Sequence, residues 1–554
     1  MRLFVILFGC LGFVAVPRLI TPRPTSDGVR SAMEYFTARS RDFATSCTAL
    51  RRSIESPSFS PSAARLQLVE CRIQYKKIES FLEYFFRSSS TIYNRPPKFE
   101  AEEPGMEYQS PVGLQVIESL LFEDSVDRTS LLQQASAIES SAADLPALLY
   151  DFKGSDQQVL ESLRLGLIRI IALDITGYES PLLKSGIAES GAALESLSQQ
   201  LQPFLQASST RTDSLSHFLQ KALAFTRDNI DFDAFDRLAF LQTAALPLQR
   251  QLRDLITNNG LGLNTNPSLN YDAGNIFSPD ALIPPGLPAH GLIQKGRQLF
   301  FDPTLSINSQ KSCASCHNPK NAFSDGLPKS LAFDNHSLLD RNTPTLLYSG
   351  YQHSQFWDGR APDIETQIRS VLANPKEMNA DTTEFSKHGG IDSIVAALSA
   401  YLRSLHPLNS PFDRYLRGER GAISDQAKKG ANLFMGKAQC ATCHFIPLFN
   451  GLIPPCYAHT EFEVLGTPDS DAGRFNIYPF PFYKGAFKTP TVRNAALTGP
   501  YMHDGSFQNL DTVLNFYNKG TLSSPPLHLT SDEISDIILF IHTLTDNIPV
   551  TYTR

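Results

Sequence analysis

Residues 313–317 read Cys-Ala-Ser-Cys-His and residues 440–444 read Cys-Ala-Thr-Cys-His. Each is a C-x-x-C-H, the spacing that attaches a c-type haem. Two thiols three positions apart on one turn can bond both vinyl groups. The adjacent His, His317 or His444, then coordinates the iron. A lone copy also fits half a zinc site or a redox dithiol. Two copies with matching approaches favour the haem. Residues 294–300 read QKGRQLF and residues 428–434 read KKGANLF, so a similar helical run precedes each motif. That is an internal repeat, and it predicts two related haem-bearing units.

A chain of 554 residues is too long for one core, and two to four domains are expected. The net charge of −7 argues against a nucleic-acid partner. Residues 3–16 (LFVILFGCLGFVAV) are apolar after Arg2. This run is short for a membrane span and suits a signal peptide, or an N-terminal anchor, within residues 1–20. Covalent haem attachment also places the protein outside the cytoplasmic membrane, in the periplasm or beyond. Leu7-Phe-Gly-Cys10 loosely resembles a lipoprotein processing site, so membrane attachment through the N-terminus stays open. Four of the eight Cys belong to the haem motifs. Cys47 and Cys71 fall on what read as neighbouring antiparallel helices, where a disulfide is within reach but not required. Cys456 has no assignment.

The pattern predicts a mainly α fold, a helical N-terminal bundle followed by two cytochrome c-like haem domains. Residues 28–262 read as helical, with apolar residues at helical spacing in 67–86 and 162–175. Residues 263–290, rich in Asn, Pro and Gly, read as a linker. The first cytochrome c domain spans 291–408 and carries a closing helix over 391–407 that Pro407 stops. The second spans 409–554. Its last helix, 531–546, places Ile534, Ile537, Ile538 and Ile541 on one face and is capped by Thr530 or Ser531.

Residues 291–546 resemble the bacterial di-haem cytochrome c peroxidase/MauG superfamily. Beyond the haem motifs, the resemblance rests on LFFDPTLS (299–306), RNTPTLL (341–347), FWDGRA (356–361), NPKEM (374–378) and FKTPTVRNAALTGPYMHDGSF (487–507). It implies peroxide chemistry at the first haem and electron entry through the second. Glu377 falls at the family's distal acid–base position and Gln367 at its supporting polar position. Trp357, the only Trp, falls where the family has an electron relay between the haems. His336 lies near the point where peroxidase members carry a blocking His, but its spacing to Arg341 does not fit cleanly. Fourteen positions after His503 of the P-Y-x-H-D-G motif, where peroxidases carry a Met ligand, stands Tyr517. MauG-type members have Tyr there, and a phenolate favours ferric iron whereas Met raises the potential. The resemblance also implies a Ca²⁺ between the haems, at Asn342 and the carbonyls of Thr498 and Pro500. Arg341, Arg360 and Arg493 are candidates for the haem propionates. Gly113-Leu-Gln-Val-Ile-Glu118 resembles the G-x-H-x-x-E motif of imelysin-like proteins, which are helical, exported and linked to iron uptake. Gln115 replaces the motif His, so a metal ligand is lost and the resemblance is one of fold.

Three readings follow. The first is an exported di-haem peroxidase that reduces hydrogen peroxide with electrons from a small cytochrome c or cupredoxin. The second is a MauG-like enzyme that oxidises residues of a partner protein. The third is a non-enzymatic carrier, which has no need of Glu377 or of an open haem.

Overall fold

The computed structural model describes residues 26–102, 107–207, 213–261, 276–277, 282, 288–467 and 469–552. The expected leader with Cys10, and most of the expected linker, lie outside the described residues.

The chain is mainly α. Its N-terminal half is built on α1 (Asp27–Glu55) and α2 (Pro61–Phe85), followed by α3 (Leu114–Leu121), α4 (Arg128–Ala143), α5 (Asp156–Arg169), α6 (Gly186–Ala207), α7 (Asp213–Asp228) and α8 (Leu246–Asn258). Ser26 caps α1 by accepting from Val29 N at 3.2 Å, and Pro61 opens α2, where its missing N–H costs nothing. The apolar stripe over 67–86 is the buried face of α2. Cys47 and Cys71 meet across the α1–α2 contact as buried thiols, their sulfurs 3.5 Å apart.

The predicted helix over 162–175 runs on without a break but changes pitch. α5 ends at Arg169 and the chain continues through a wider i→i+5 turn, in which Ile175 N donates to Ile170 O at 3.1 Å. Such turns insert a residue and re-aim the side chains around it. Here the turn directs Asp174 inward, where Lys76 Nζ donates to Asp174 at 2.8 Å, to Glu79 at 2.9 Å, and to Glu179. These three carboxylates are close enough together to hold a metal ion, but the Lys76 ammonium already sits among them.

The haem-bearing half repeats one construction. α9 (His290–Phe301) crosses α11 (Ile391–Arg403), with α10 (Ile364–Ala373) between them in sequence. After the short α12 (Pro411–Leu416), α13 (Asp425–Met435) and α14 (Leu510–Asn518) precede α15 (Ser531–Thr543), which α13 crosses. The glycine shared by QKGRQLF and KKGANLF explains both crossings. A Cβ at Gly296 would lie 1.8 Å from Ala397 O, and one at Gly430 would lie 1.8 Å from Asp536 O. Only glycine allows backbones to approach so closely.

The ends of both closing helices need correction. α11 stops at Arg403 rather than 407, because Pro407 disfavours the helical conformation of the residue before it and the last turn tightens at Ser404 and Leu405. α15 stops at Thr543, not 546, and Thr530 caps it in a capping box with Glu533. Ile534, Ile537 and Ile541 are buried with Phe540, while Ile538 is partly buried. Among the described residues, strand is confined to two short antiparallel pairs, Glu100–Glu102 with Glu107–Gln109 and Phe462–Val464 with Ala486–Lys488.

The two halves are packed together. Gln439 Nε2 donates to Pro181 O at 2.7 Å, Leu238 N donates to Asn432 Oδ1 at 3.0 Å, and Lys98 pairs with Glu461 and Glu463. Within the expected linker, Ile276 and Phe277 are buried, Ile276 N donating to Gln249 and Phe277 meeting the Phe412 ring.

Candidate active site

One cavity of about 1490 Å³ is lined by both C-x-x-C-H segments, with Cys313, Cys316 and His317 in one part and Cys440, Cys443 and His444 in the other. That exceeds the ~300–1,000 Å³ of a site for one small ligand. His317 Nδ1 lies 3.0 Å from Phe323 O, and His444 Nδ1 lies 3.0 Å from Pro490 O and 3.2 Å from Phe449 O. A carbonyl partner on Nδ1 fixes the ring and leaves Nε2 for a metal. Burial lowers the pKa of both imidazoles, which keeps them in the neutral form that ligates.

Burial pushes the Cys313 and Cys440 thiols up to about 12. Two C-x-x-C-H segments facing one cavity of this size fit two c-type haems, held through Cys313, Cys316, Cys440 and Cys443.

On the first side, α10 starts at Asp363, whose side chain accepts from Thr366 N at 2.6 Å, and carries Gln367 into the cavity wall. The helix ends at Ala373 because Pro375 follows Asn374. The next turn is tied by Asn374, whose Oδ1 accepts from Lys376 N at 3.0 Å and whose Nδ2 donates to Glu377 Oε1 at 2.9 Å. Glu377 is thus fixed in the wall of the first haem's part of the cavity, half-buried. Desolvation raises its pKa above the usual carboxylate value, while Arg360 and the Asn374 hydrogen bond oppose the rise. His336 is exposed in its loop and does not line the cavity.

Trp357 stands where the two haem-bearing units meet. Its Nε1 donates to Asn342 O at 2.9 Å and its carbonyl accepts from Lys488 N at 2.7 Å. The adjoining turn uses Gly359 at φ +70°, where a Cβ would strike the Phe462 ring at 2.4 Å. On the second side, Asn509 caps α14 by accepting from Thr512 N at 2.9 Å, and Tyr517 near the end of α14 lines the cavity. Burial raises the Tyr517 phenol above its usual value, and the nearby Cys443 and Cys440 add to this.

Asn342, Thr498 and Pro500 share the cavity wall, and Asn342 Nδ2 donates to Leu327 O at 2.8 Å. The arginine candidates divide. Arg493 is fully buried, clamps Asp413 with bonds of 2.8 and 2.9 Å, and is not in the cavity wall, which rules it out as a propionate partner. Arg341 and Arg360 do line the cavity, already paired with Asp471 and Asp358 and with Asp358 respectively.

Several lining residues escaped the sequence reading. Lys488 donates to Gln352 and, at 2.9 Å, to Ser354 O, and desolvation brings its amine down to about 7. The helical half contributes Lys98, Gln115, Glu118, Tyr178, Pro181 and Leu182. No motif marks these residues as haem-facing; only the folded contact between the halves does. Gln115 and Glu118, in the imelysin-like segment, are occupied in holding the backbone. Gln115 Nε2 donates to Asn94 O at 3.0 Å, and Glu118 Oε1 accepts from Leu182 N and Leu183 N at 2.7 and 2.9 Å.

Residues 291–421 match the family described as di-haem cytochrome c peroxidase. The methylamine utilization protein MauG of Methylorubrum extorquens is 34% identical over 279 residues, covering 45% of this chain and 76% of that protein. The cytochrome c551 peroxidase of Nitrosomonas europaea is 33% identical over 286 residues, covering 47% and 81%. The chain belongs to the di-haem cytochrome c peroxidase/MauG family. A solved structure of a MauG-like protein associated with microbial copper homeostasis is 30% identical, with a TM-score of 0.44 over 48% of this chain and 92% of that one. Membership makes the protein an oxidoreductase of the di-haem peroxidase type. It implies two c-type haems, peroxide as oxidant and a redox partner. Among the described residues, no helix is long and apolar enough to cross a membrane.

Proposed function

We propose that the protein is an exported di-haem peroxidase, reducing hydrogen peroxide at the first haem with electrons that enter through the second from a small cytochrome c or cupredoxin. One observation carries the reading. Glu377, Gln367, Trp357 and Tyr517 line the same cavity as both haem-attachment motifs. When bound, the haems supply a metal that takes up peroxide and the redox equivalents to cleave it.

The chain's own residues do the rest. His317 and His444 would hold the irons. Glu377 takes the proton from one peroxide oxygen and returns it to the departing oxygen, a transfer that benefits from a carboxyl pKa drawn toward neutrality. Gln367 orients the peroxide, Trp357 relays electrons across the junction, and Tyr517 would be a ligand to the second haem. Asn342 and the carbonyls of Thr498 and Pro500 would hold a calcium ion that fixes the junction. We read residues 28–262 as an imelysin-like fold without its metal site, 291–408 and 409–554 as the two cytochrome c domains, and the N-terminus as the export signal, with any membrane attachment confined to it.

Steady-state peroxide consumption with a reduced cytochrome tests this; absence of turnover with both haems attached contradicts it. Tyr517 in place of Met favours a second reading, MauG-like oxidation of a partner protein. Under that reading, donor-driven turnover is slow and peroxide-treated protein oxidises residues on a second protein.

A further inference from the structure

Three tyrosines line the haem cavity among the described residues: Tyr178, Tyr501 and Tyr517. Their hydroxyl surroundings differ. Tyr501 donates to the carbonyl of Ala495 at 2.9 Å, an acceptor that cannot take up a proton. Tyr517 stands at the position of the second haem's ligand. Tyr178, carried by the helical half, donates to a carboxylate, Glu461 Oε1, at 3.3 Å. Glu461 is almost fully buried and ion-paired with Lys98 of the helical half. The Tyr178 ring packs edge-on against Phe445, with centroids 5.2 Å apart, and Phe445 directly follows His444. Gln439, beside the attachment residue Cys440, is bonded to Pro181 O close to Tyr178 in the chain. The helical half therefore packs against the second haem-attachment segment and brings an oxidisable phenol to it with a proton acceptor in place.

We propose that Tyr178 is an internal electron donor to the second haem, with Glu461 as the acceptor of its proton. This rests on the peroxidase reading. The Tyr178 O–H bond breaks, the proton passes to the Glu461 carboxylate, and the electron goes to the peroxide-oxidised haem site, leaving a phenoxyl radical. Hydrogen peroxide takes two electrons and two protons from solvent to give two waters; when no external donor is present, the haem pair would supply one electron and Tyr178 the other. A later electron from the donor, with the proton returned by Glu461, restores the phenol. The helical half is thereby a working part of the redox site.

The test is freeze-quench EPR of the holoprotein mixed with one equivalent of peroxide and no donor. The expected result is a tyrosyl radical whose hyperfine pattern collapses when the protein carries ring-deuterated tyrosine. Tyr178→Phe abolishes it, and Glu461→Gln lowers its yield several-fold. Fluorotyrosine at position 178, which keeps both the hydroxyl and the packing, changes the hyperfine pattern and secures the assignment if Tyr178→Phe folds poorly. The same radical in Tyr178→Phe, an unchanged pattern with fluorotyrosine at 178, or peroxide consumption with no tyrosyl radical overturns the proposal alone. Failure of the holoprotein to react with peroxide at all overturns the peroxidase reading with it.

Discussion

Replacing Glu377 with Gln removes proton exchange and little else. The carboxylate is placed by one hydrogen bond, from Asn374 Nδ2 at 2.9 Å, and a Gln carbonyl can accept the same bond. The turn that carries residue 377 is held by backbone bonds to Asn374 and Val371, which the substitution leaves alone. The loss is then that of a positioned acid–base group, about 10²–10⁴-fold in kcat/KM for peroxide, or ~3–5 kcal/mol of transition-state stabilisation. The wild-type rate also has a pH signature. Glu377 must be ionised to accept the first proton, so activity rises with pH through its pKa, which desolvation has raised. Arg360 opposes that rise, so Arg360→Ala moves the acid limb to higher pH. Peroxide consumption by holoprotein of equal haem content, followed across pH, measures both effects. A Glu377→Gln variant within threefold of wild type, or an Arg360→Ala limb displaced to lower pH, refutes the assignment.

Other outcomes follow from the packing. Gly430→Ala forces a Cβ to within 1.8 Å of the Asp536 carbonyl oxygen, so the α13–α15 crossing must shift. The overpacking cost of ~1–3 kcal/mol outweighs the ~1 kcal/mol helix-propensity gain and lowers the denaturation midpoint. Gly296→Ala should act in the same way through Ala397 O. Arg493→Ala leaves Asp413 buried and unpaired, and costs about 3–5 kcal/mol in urea unfolding. Burial raises Glu118 to about 7, so the folded state retains its proton longer than the unfolded chain does. The stabilisation is full below the unfolded value and is lost as pH rises through the folded one. Stability should therefore fall between about pH 4.5 and about 7, by on the order of 3 kcal/mol. Glu118→Gln flattens that slope in denaturation curves taken at several pH values.

How much was legible in the sequence depends on the range of the physics involved. The haem motifs, the cap at residue 530 or 531, and the repeated K-G run are local, and local signals survive reading without a structure. Even the repeat's glycine had a cause that only the crossings exposed, since Asp536 O and Ala397 O are distant in sequence. Glu377 and Gln367 were found by resemblance, and the structure adds the Asn374 turn that fixes Glu377. The arginines were too many to sort by type, because burial and partner decide the matter and Arg493 is claimed by Asp413. The helical spacing over 162–175 was legible, but the wider turn after Arg169 was not, because it keeps helical periodicity on either side while rotating the face between them. Tyr178 and Lys98 carry no signal of their own. They reach the haem cavity only because the two halves pack together, a contact between residues 98 and 461 that periodicity cannot express.

The central claim is that two like motifs serve unlike haems, one open to peroxide and one closed by Tyr517. EPR of the oxidised holoprotein tests it most directly. The account predicts a high-spin signal beside a low-spin one, with only the low-spin signal changed in Tyr517→Phe. Two low-spin haems, or a spectrum indifferent to Tyr517→Phe, would contradict it.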